Sequence, residues 1–348
     1  MTIEELFKIA VEKGASDIHL VSNMSPALRI RKDIFFIDAP PLKPEEIKEL
    51  IYSLLREGQE KILEEERQLC FSLLRDDLGH FRIAVYFHRG MVEAAIRVRK
   101  LELKSIEALS LPPVLKDLAN KPHGLIVISG PTGSGKTTTF YSVLDLINNT
   151  RKAKIITVED PIEYVHTHKK SIFVQQEIYK DATSFNAALH HILRQDPDVI
   201  GVGEMRDKET IQAALNAAET GHLVIATLHT SAAAQTIDRI LDVFPGERHA
   251  QVRTQLSNCL QGTLSQILLP RTDIKGLVPA CEVLIATEGV RNIIRDDKLQ
   301  MLPSTIQAGG EYKMQSLDRD LKRLFREGII TKSVAIENAC DPKEFLSL

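Results

Sequence analysis

The 348-residue sequence has no tryptophan and few other aromatic residues, and it lacks the features of exported and membrane-spanning proteins. No apolar run approaches the roughly 18 residues that a membrane-spanning helix needs. The N-terminus, Met1 to Leu6, is acidic and has no basic stretch followed by an apolar one, so we expect no signal peptide. We therefore expect a cytoplasmic protein without direct membrane insertion.

Neither cysteine spacing nor net charge points to a specialised partner. Cys70, Cys259, Cys281 and Cys340 are scattered without a C-x-x-C pair, which argues against a zinc site or a disulfide framework. Lys and Arg number 44 against 47 Asp and Glu, a formal net charge of −3. This balance gives no global field that would attract nucleic acid, and we expect no nucleic-acid partner.

The length predicts two globular units, because one domain averages roughly 100 to 200 residues. A polar stretch over 101–120, punctuated by Leu111-Pro112-Pro113, is typical of an interdomain linker. The predicted domains are therefore 1–100 and 121–348. The first should mix short helices and strands, with a helix over 2–13, a strand over 16–21 and a long charged helix over 45–66.

A β-hairpin is predicted over 80–99, with Arg89-Gly90 as its two-residue turn. That turn places Arg82 directly opposite Arg97 on the neighbouring strand. Like charges facing each other across two strands repel, so this pairing makes sense if an anion sits between or above them. The alternative is a pair of solvated arginines, with the turn one residue away.

A phosphate-binding loop is the strongest motif. An apolar strand over 125–129 precedes it and a helix follows, as the motif G-x-x-x-x-G-K-[ST] requires. Its glycines let backbone N–H groups surround the phosphates, Lys136 would reach the β- and γ-phosphates, and the Thr137 hydroxyl would ligate Mg²⁺. The predicted nucleotide-binding residues are Gly130, Pro131, Thr132, Gly133, Ser134, Gly135, Lys136, Thr137 and Thr138.

A second apolar run over 198–203 resembles a Walker B strand and delivers Glu204 to its end. A common Walker B strand has Asp where this chain has Gly203, which leaves direct carboxylate support of Mg²⁺ in doubt. Glu204 is placed to orient and deprotonate the attacking water. The structural alternative for Glu204 is a solvated residue capping the strand.

Acidic residues also follow the strand predicted over 155–158. Here Glu159 and Glu163 are candidates for holding Mg²⁺ through water. The structural alternative is that Asp160 caps a helix that starts at Pro161.

Two histidines flank the apolar strand that begins after Gly221. His229, at the carboxyl end, could contact the γ-phosphate and report its loss, whereas His222 would position neighbouring loops. Ordinary hydrogen bonding at a strand end is the alternative for both.

Taken together, these motifs resemble the Walker A, Asp, Walker B and His boxes of the type II/type IV secretion ATPase superfamily. The order and spacing match over 130–137, 156–164, 193–207 and 221–230. Within this superfamily the chain is similar to the type IV pilus retraction (twitching motility) ATPases, on the stretches Ala15-Ser16-Asp17-Ile18-His19-Leu20, 238–245 and 290–295.

The resemblance implies an α/β protein, with a PAS-like α+β N-terminal domain followed by a RecA-like P-loop ATPase domain and a C-terminal helical region. It implies a homohexameric ring that hydrolyses ATP with Mg²⁺ to retract pili. Arg82 and Arg97 would then be arginine fingers for the nucleotide. The implied partners are an inner-membrane pilus platform protein (PilC-like) and a paralogous retraction ATPase, with the chain peripheral at the inner membrane.

Departures from the family pattern leave alternatives open. Extension and secretion relatives usually carry a four-cysteine zinc motif that is missing here, which favours retraction over pilus extension or type II secretion. Gly289-Val290 and the segment 26–31 depart from the usual signatures, so whether the chain retracts alone or assists a paralogue stays open. A RecA-like DNA-binding ATPase is the remaining alternative, and the near-neutral charge argues against it.

Overall fold

The computed structural model describes residues 1–30, 33–75, 78–99, 103–274 and 276–345. The chain divides into a first unit, residues 1–102 with 161–165, and a second unit, residues 103–160 with 166–348. Two residues of the predicted linker, 101 and 102, lie outside the described residues. So does Arg31, the last residue of the segment 26–31 that differs from the usual family signature. The rest of the stretch expected to be a linker, 103–120, belongs to the second unit and carries a helix of its own.

In the described residues, the first unit is one antiparallel sheet with three helices. From one edge of the sheet to the other, its strands are Asp33–Phe36, Ala27–Ile30, Asp17–Leu20, Met91–Arg99, Gly79–His88 and Gln68–Arg75. Buried apolar side chains from the helices and the sheet form one core, in which the rings of Phe7 and Phe81 stack at 4.0 Å. The elements are α1 Ile3–Glu12, β1 Asp17–Leu20, β2 Ala27–Ile30, β3 Asp33–Phe36, α2 Pro44–Tyr52, α3 Gln59–Glu66, β4 Gln68–Arg75, β5 Gly79–His88 and β6 Met91–Arg99.

The long helix predicted over 45–66 is wrong, because this stretch forms two helices, α2 and α3. Gly58 has a φ of 84°, a left-handed conformation that interrupts the helical path just before α3 begins.

The hairpin prediction is confirmed. His88 pairs with Met91, so Arg89-Gly90 forms the turn and Arg82 lies opposite Arg97.

The second unit is built on a seven-stranded sheet. Its elements are α4 Val114–Ala119, β7 Gly124–Ser129, α5 Lys136–Thr150, β8 Lys154–Glu159, β9 Ile172–Glu177, α6 Phe185–Ile192, β10 Val199–Val202, α7 Lys208–Glu219, β11 Leu223–Leu228, α8 Ala233–Asp242, α9 His249–Cys259, β12 Leu260–Pro270, β13 Leu277–Ile285, α10 Glu288–Arg295, α11 Leu302–Ala308, α12 Leu317–Arg326 and α13 Lys332–Asn338. Short 3-10 helices cover Gly246–Arg248, Leu299–Met301, Gly309–Tyr312 and Pro342–Phe345.

The strand order is β13-β12-β7-β11-β10-β8-β9, and every neighbouring pair is parallel except β12 with β13. All residues of β7, β10 and β11 are buried, as expected for central strands of a sheet covered on both faces. Because these strands run in one direction, their carboxyl ends meet at one edge of the sheet, where ligands bind in open α/β folds. Within the described ranges, no helix is long and apolar enough to cross a membrane.

Candidate active site

The phosphate-binding loop connects β7 to α5, and α5 begins at Lys136. Gly130, Gly133 and Gly135 have φ values of 152°, 80° and 86°, in the region that glycine adopts without strain. Gly130 is also closely surrounded, because a Cβ there would collide with the Gln266 carbonyl and the Ser134 hydroxyl. The loop therefore has the compact backbone path that allows N–H groups to converge on a phosphate.

Gln266 fixes this loop from the neighbouring strand β12. Its Nε2 donates to the Ser134 carbonyl at 2.6 Å, and its Oε1 accepts from the Thr139 hydroxyl at 2.9 Å. The side chain is buried, so both bonds are shielded from water. Gln266 could not be singled out from the sequence, because its strand carries several other polar residues.

Lys136 and Ser134 offer polar atoms to a ligand of the loop. The Lys136 Nζ donates to the carbonyls of Gly130 at 2.7 Å and Pro131 at 2.9 Å. An ammonium has three N–H donors, so a third can reach a phosphate oxygen. The buried Ser134 hydroxyl has no hydrogen-bond partner within the described ranges. Burial lowers the pKa of Lys136, while the nearby charge of Glu204 opposes that shift.

We predict that Gly130→Ala destabilises the protein even without nucleotide. The added methyl group meets the Gln266 backbone, which cannot move aside as a flexible side chain could. Urea unfolding should show a loss of about 2 to 4 kcal/mol, because overpacking adds to the strain of a positive φ. Gly133→Ala is the control: its φ is also positive, but its Cβ would meet no atom within 4 Å. Equal losses in the two variants would contradict the collision argument.

Glu204 and His229 come together at the carboxyl ends of β10 and β11. The His229 Nε2 lies 3.2 Å from one Glu204 oxygen, and Arg206 Nη2 lies 2.8 Å from the other. The Thr227 hydroxyl donates to the Gly203 carbonyl at 2.5 Å, and the Met205 N–H donates to the Thr227 carbonyl at 3.1 Å. These bonds hold the turn that carries Glu204 against β11.

The structure gives a physical reason for Gly203, the departure from the common Walker B pattern. A Cβ at Gly203 would lie 3.2 Å from the Val158 carbonyl and 3.3 Å from the Glu159 Cα, tighter than most Cβ contacts in proteins, so this backbone would have to shift. Glu159 is buried and accepts from Thr157 at 2.5 Å, from Gln175 at 3.0 Å and from Tyr141. A fixed carboxylate from β8 therefore stands beside the position that an aspartate side chain would fill.

The remaining residues singled out from the sequence are Asp160, Glu163, Arg82 and Arg97. No helix begins at Pro161, so the alternative that Asp160 is a helix cap is wrong. Glu163 lies in 161–165, which belongs to the first unit together with Arg82 and Arg97. Both arginines are exposed, and the Arg97 Nε lies 3.4 Å from Asp17 Oδ1.

His222 makes the ordinary strand-end contacts. Its Nδ1 is 3.0 Å from the Ala217 carbonyl and 3.3 Å from the Thr220 hydroxyl. These contacts close the end of α7 and favour a structural role over a chemical one.

A cavity of about 280 Å³ opens beside the loop within the second unit. Its walls combine polar groups with apolar side chains, among them Lys104, Leu109, Thr138, Thr139, Leu268 and Arg271. Thr137 is half-buried at the start of α5. Within the described ranges, no group of three His, Cys, Asp or Glu residues could hold a metal ion.

Comparisons with known proteins find relatives that match nearly the whole chain. A family model described as "Type II/IV secretion system protein" matches residues 1–298. A Pseudomonas aeruginosa protein described as "Type IV pilus retractation ATPase PilT" is 43% identical over 345 residues, which cover 99% of this chain and 100% of that protein. The "Type IV pilus ATPase PilU" of the same organism is 35% identical, over 97% of this chain and 89% of that protein.

A solved structure is also similar over the whole chain. The crystal structure of "the Pilus Retraction Motor PilT and Bound ADP" superposes with a TM-score of 0.94 and is 47% identical, covering 100% of both chains. The overall architecture of two sheets, the second carrying a phosphate-binding loop, is therefore shared with a protein that binds ADP.

Proposed function

Because the chain belongs to the type II/IV secretion system protein family, we propose that it is a Mg²⁺-dependent ATPase motor that drives the retraction of type IV pili. The observation that carries this proposal is the placement of the Lys136 loop and the Glu204–His229 pair at the carboxyl ends of the neighbouring parallel strands β7, β11 and β10. A kinase or a nucleotide switch would share the loop, but the acid and histidine add a means of hydrolysing ATP and of reporting that event.

The loop and its surroundings bind and orient ATP. Backbone N–H groups of 130–137 and the Lys136 ammonium surround the β- and γ-phosphates. The neighbouring cavity, with Thr138 on its wall, suits the base and ribose, since small-molecule sites combine apolar walls with a few polar groups. Mg²⁺, when bound, would neutralise charge on the phosphate oxygens; Thr137 would hold it directly, and Glu159 and Glu163 through water.

Glu204 orients the attacking water and accepts its proton. The contacts of Glu204 with Arg206 and His229 keep the carboxylate in one place. The His229 side chain is 44% exposed, which leaves it free to sense the γ-phosphate. Arg82 and Arg97 stabilise the charge that develops on the transferred phosphoryl group.

The motor works as a homohexamer on the inner-membrane platform of the pilus (a PilC-like protein) and is held there by its partners. Similarity to the relative PilU supports a paralogous ATPase as a further partner. The ring's work would come from nucleotide-driven domain motion.

A deletion strain of the source organism tests the direction of movement. Retraction predicts an excess of surface pili and no twitching in the deletion strain, with rescue by the wild-type chain but not by Glu204→Gln. Loss of surface pili would instead assign the chain to pilus extension.

A further inference from the structure

Four hydroxyl groups form a continuous chain at the carboxyl edge of the second sheet. The Ser265 Oγ lies 2.8 Å from the Ser129 Oγ, the Ser129 Oγ lies 3.1 Å from the Thr236 Oγ1, and the Thr236 Oγ1 lies 2.8 Å from the Thr230 Oγ1. The residues come from β12, β7, α8 and the loop after β11. We call this set the hydroxyl chain.

Most of the hydroxyl chain is sealed from water. Ser129 and Thr236 are fully buried and Ser265 is 2% exposed, while Thr230 is half-buried at the outer end. Hydrogen bonds in such an interior are stronger than at the surface, and a hydroxyl left without its partner is costly. The position of one member therefore constrains the others.

Thr236 is the branch point. Its hydroxyl donates to Ser129 or to the Ala232 carbonyl, which is 2.9 Å away. A hydroxyl carries one proton, so these two bonds alternate. Thr236 thus links the start of α8 to the interior of the sheet and to Thr230, and the Ala233 N–H at this helix start is held by a Glu282 carboxylate oxygen at 2.7 Å.

Three members of the hydroxyl chain are next in sequence to a residue of the candidate site. Ser129 precedes Gly130, the first residue of the phosphate-binding loop. Ser265 precedes Gln266, which fixes Ser134 and Thr139. Thr230 follows His229, which contacts Glu204.

We propose that Thr236 is a positioning residue for ATP hydrolysis, which ties the His229–Thr230 loop to the phosphate-binding loop through Ser129. Its hydroxyl holds His229, and through it Glu204, at a fixed place relative to the γ-phosphate. This inference rests on the proposed ATPase function and adds a residue to it that does not itself touch the nucleotide.

The test is Thr236→Val in the full-length chain. Valine keeps the shape of the side chain but removes the hydroxyl, so Ser129 and Thr230 each lose a partner. We expect kcat to fall about tenfold, because small misplacement of reacting groups slows the chemical step, while KM for ATP stays within about twofold. Thr236→Ser restores the hydroxyl and should recover most of kcat.

Thr263→Val is the matched control. Thr263 is also buried on β12, but its hydroxyl has no hydrogen-bond partner in the part of the chain that the structure describes. We expect unchanged kcat and KM. Thermal unfolding of all variants shows whether a lower kcat comes from loss of folded protein or from a shift of His229 within folded protein. Unfolding of Thr236→Val by chemical denaturant tests its stability at the assay temperature.

A double variant tests the route through His229. If Thr236 acts by positioning His229, then adding Thr236→Val to His229→Ala should lower kcat by less than twofold further, because the positioned group is already gone. Independent effects that multiply, or an unchanged kcat in Thr236→Val, would overturn the proposal. Lys136→Ala distinguishes a failure of this inference from a failure of the proposed function. ATP hydrolysis that survives Lys136→Ala would contradict the proposed ATPase site itself, whatever Thr236→Val does.

Discussion

Glu204→Gln should retain ATP binding while losing hydrolysis by about 10²- to 10⁴-fold, the contribution expected of a general base. Glutamine keeps the size of the side chain, and its amide oxygen can still accept a hydrogen bond from Arg206. Its amide nitrogen can donate to the His229 Nε2 in the tautomer that leaves this nitrogen unprotonated. Glutamine cannot take a proton from water. Binding is measured with a fluorescent ATP analogue and turnover by phosphate release.

The control for this variant is Glu209→Gln, which removes an exposed carboxylate from the first turn of the helix that follows Glu204. Its turnover should match that of the wild type. Turnover within a few-fold of wild type in Glu204→Gln would remove Glu204 from its assigned role. Loss of ATP binding would show that the change disturbs the loop rather than the chemistry.

The parts of the fold that the sequence predicts best are those with local causes. The hairpin register follows from two residues, since Arg89 and Gly90 both have positive φ, 51° and 80°, as the turn of a tight hairpin requires. The strand that ends at Ser129, the glycines after it and the helix from Lys136 are equally local. Glu204 and His229 could be expected to meet because parallel strands end at one edge.

What the sequence could not predict depends on contacts between distant residues. Gln266 reaches Ser134 over 132 positions, and Ser129 meets Ser265 over 136. In the sequence, Gly203 is only a departure from the Walker B motif. The structure adds the reason, because the buried Glu159 lies beside it. No local pattern specifies these neighbours, because they follow from the order of strands in the sheet.

Replacing either hairpin arginine should have the other large effect on turnover. Arg82→Ala and Arg97→Ala are each expected to lower kcat by about 10³-fold or more with little change in ATP binding, as for arginine fingers in other phosphoryl-transfer enzymes. The Arg97–Asp17 ion pair is exposed and worth little, so Arg97 can exchange it for a phosphate oxygen. Lysine should not substitute, because it lacks the planar fork that matches phosphate.

Arg56→Ala removes an exposed positive charge from the same unit and should leave turnover unchanged. Normal activity in Arg82→Ala and Arg97→Ala would favour the alternative of two solvated arginines.

An equal mixture of Arg82→Ala with Glu204→Gln then separates two ways of completing the site. If a neighbouring subunit supplies the arginine, a working site needs an Arg82→Ala subunit, which keeps Glu204, beside a Glu204→Gln subunit, which keeps Arg82. Random mixing places them so at about a quarter of the interfaces, and that share of turnover should return. If each chain supplies its own arginine, every site lacks one group and the mixture stays inactive.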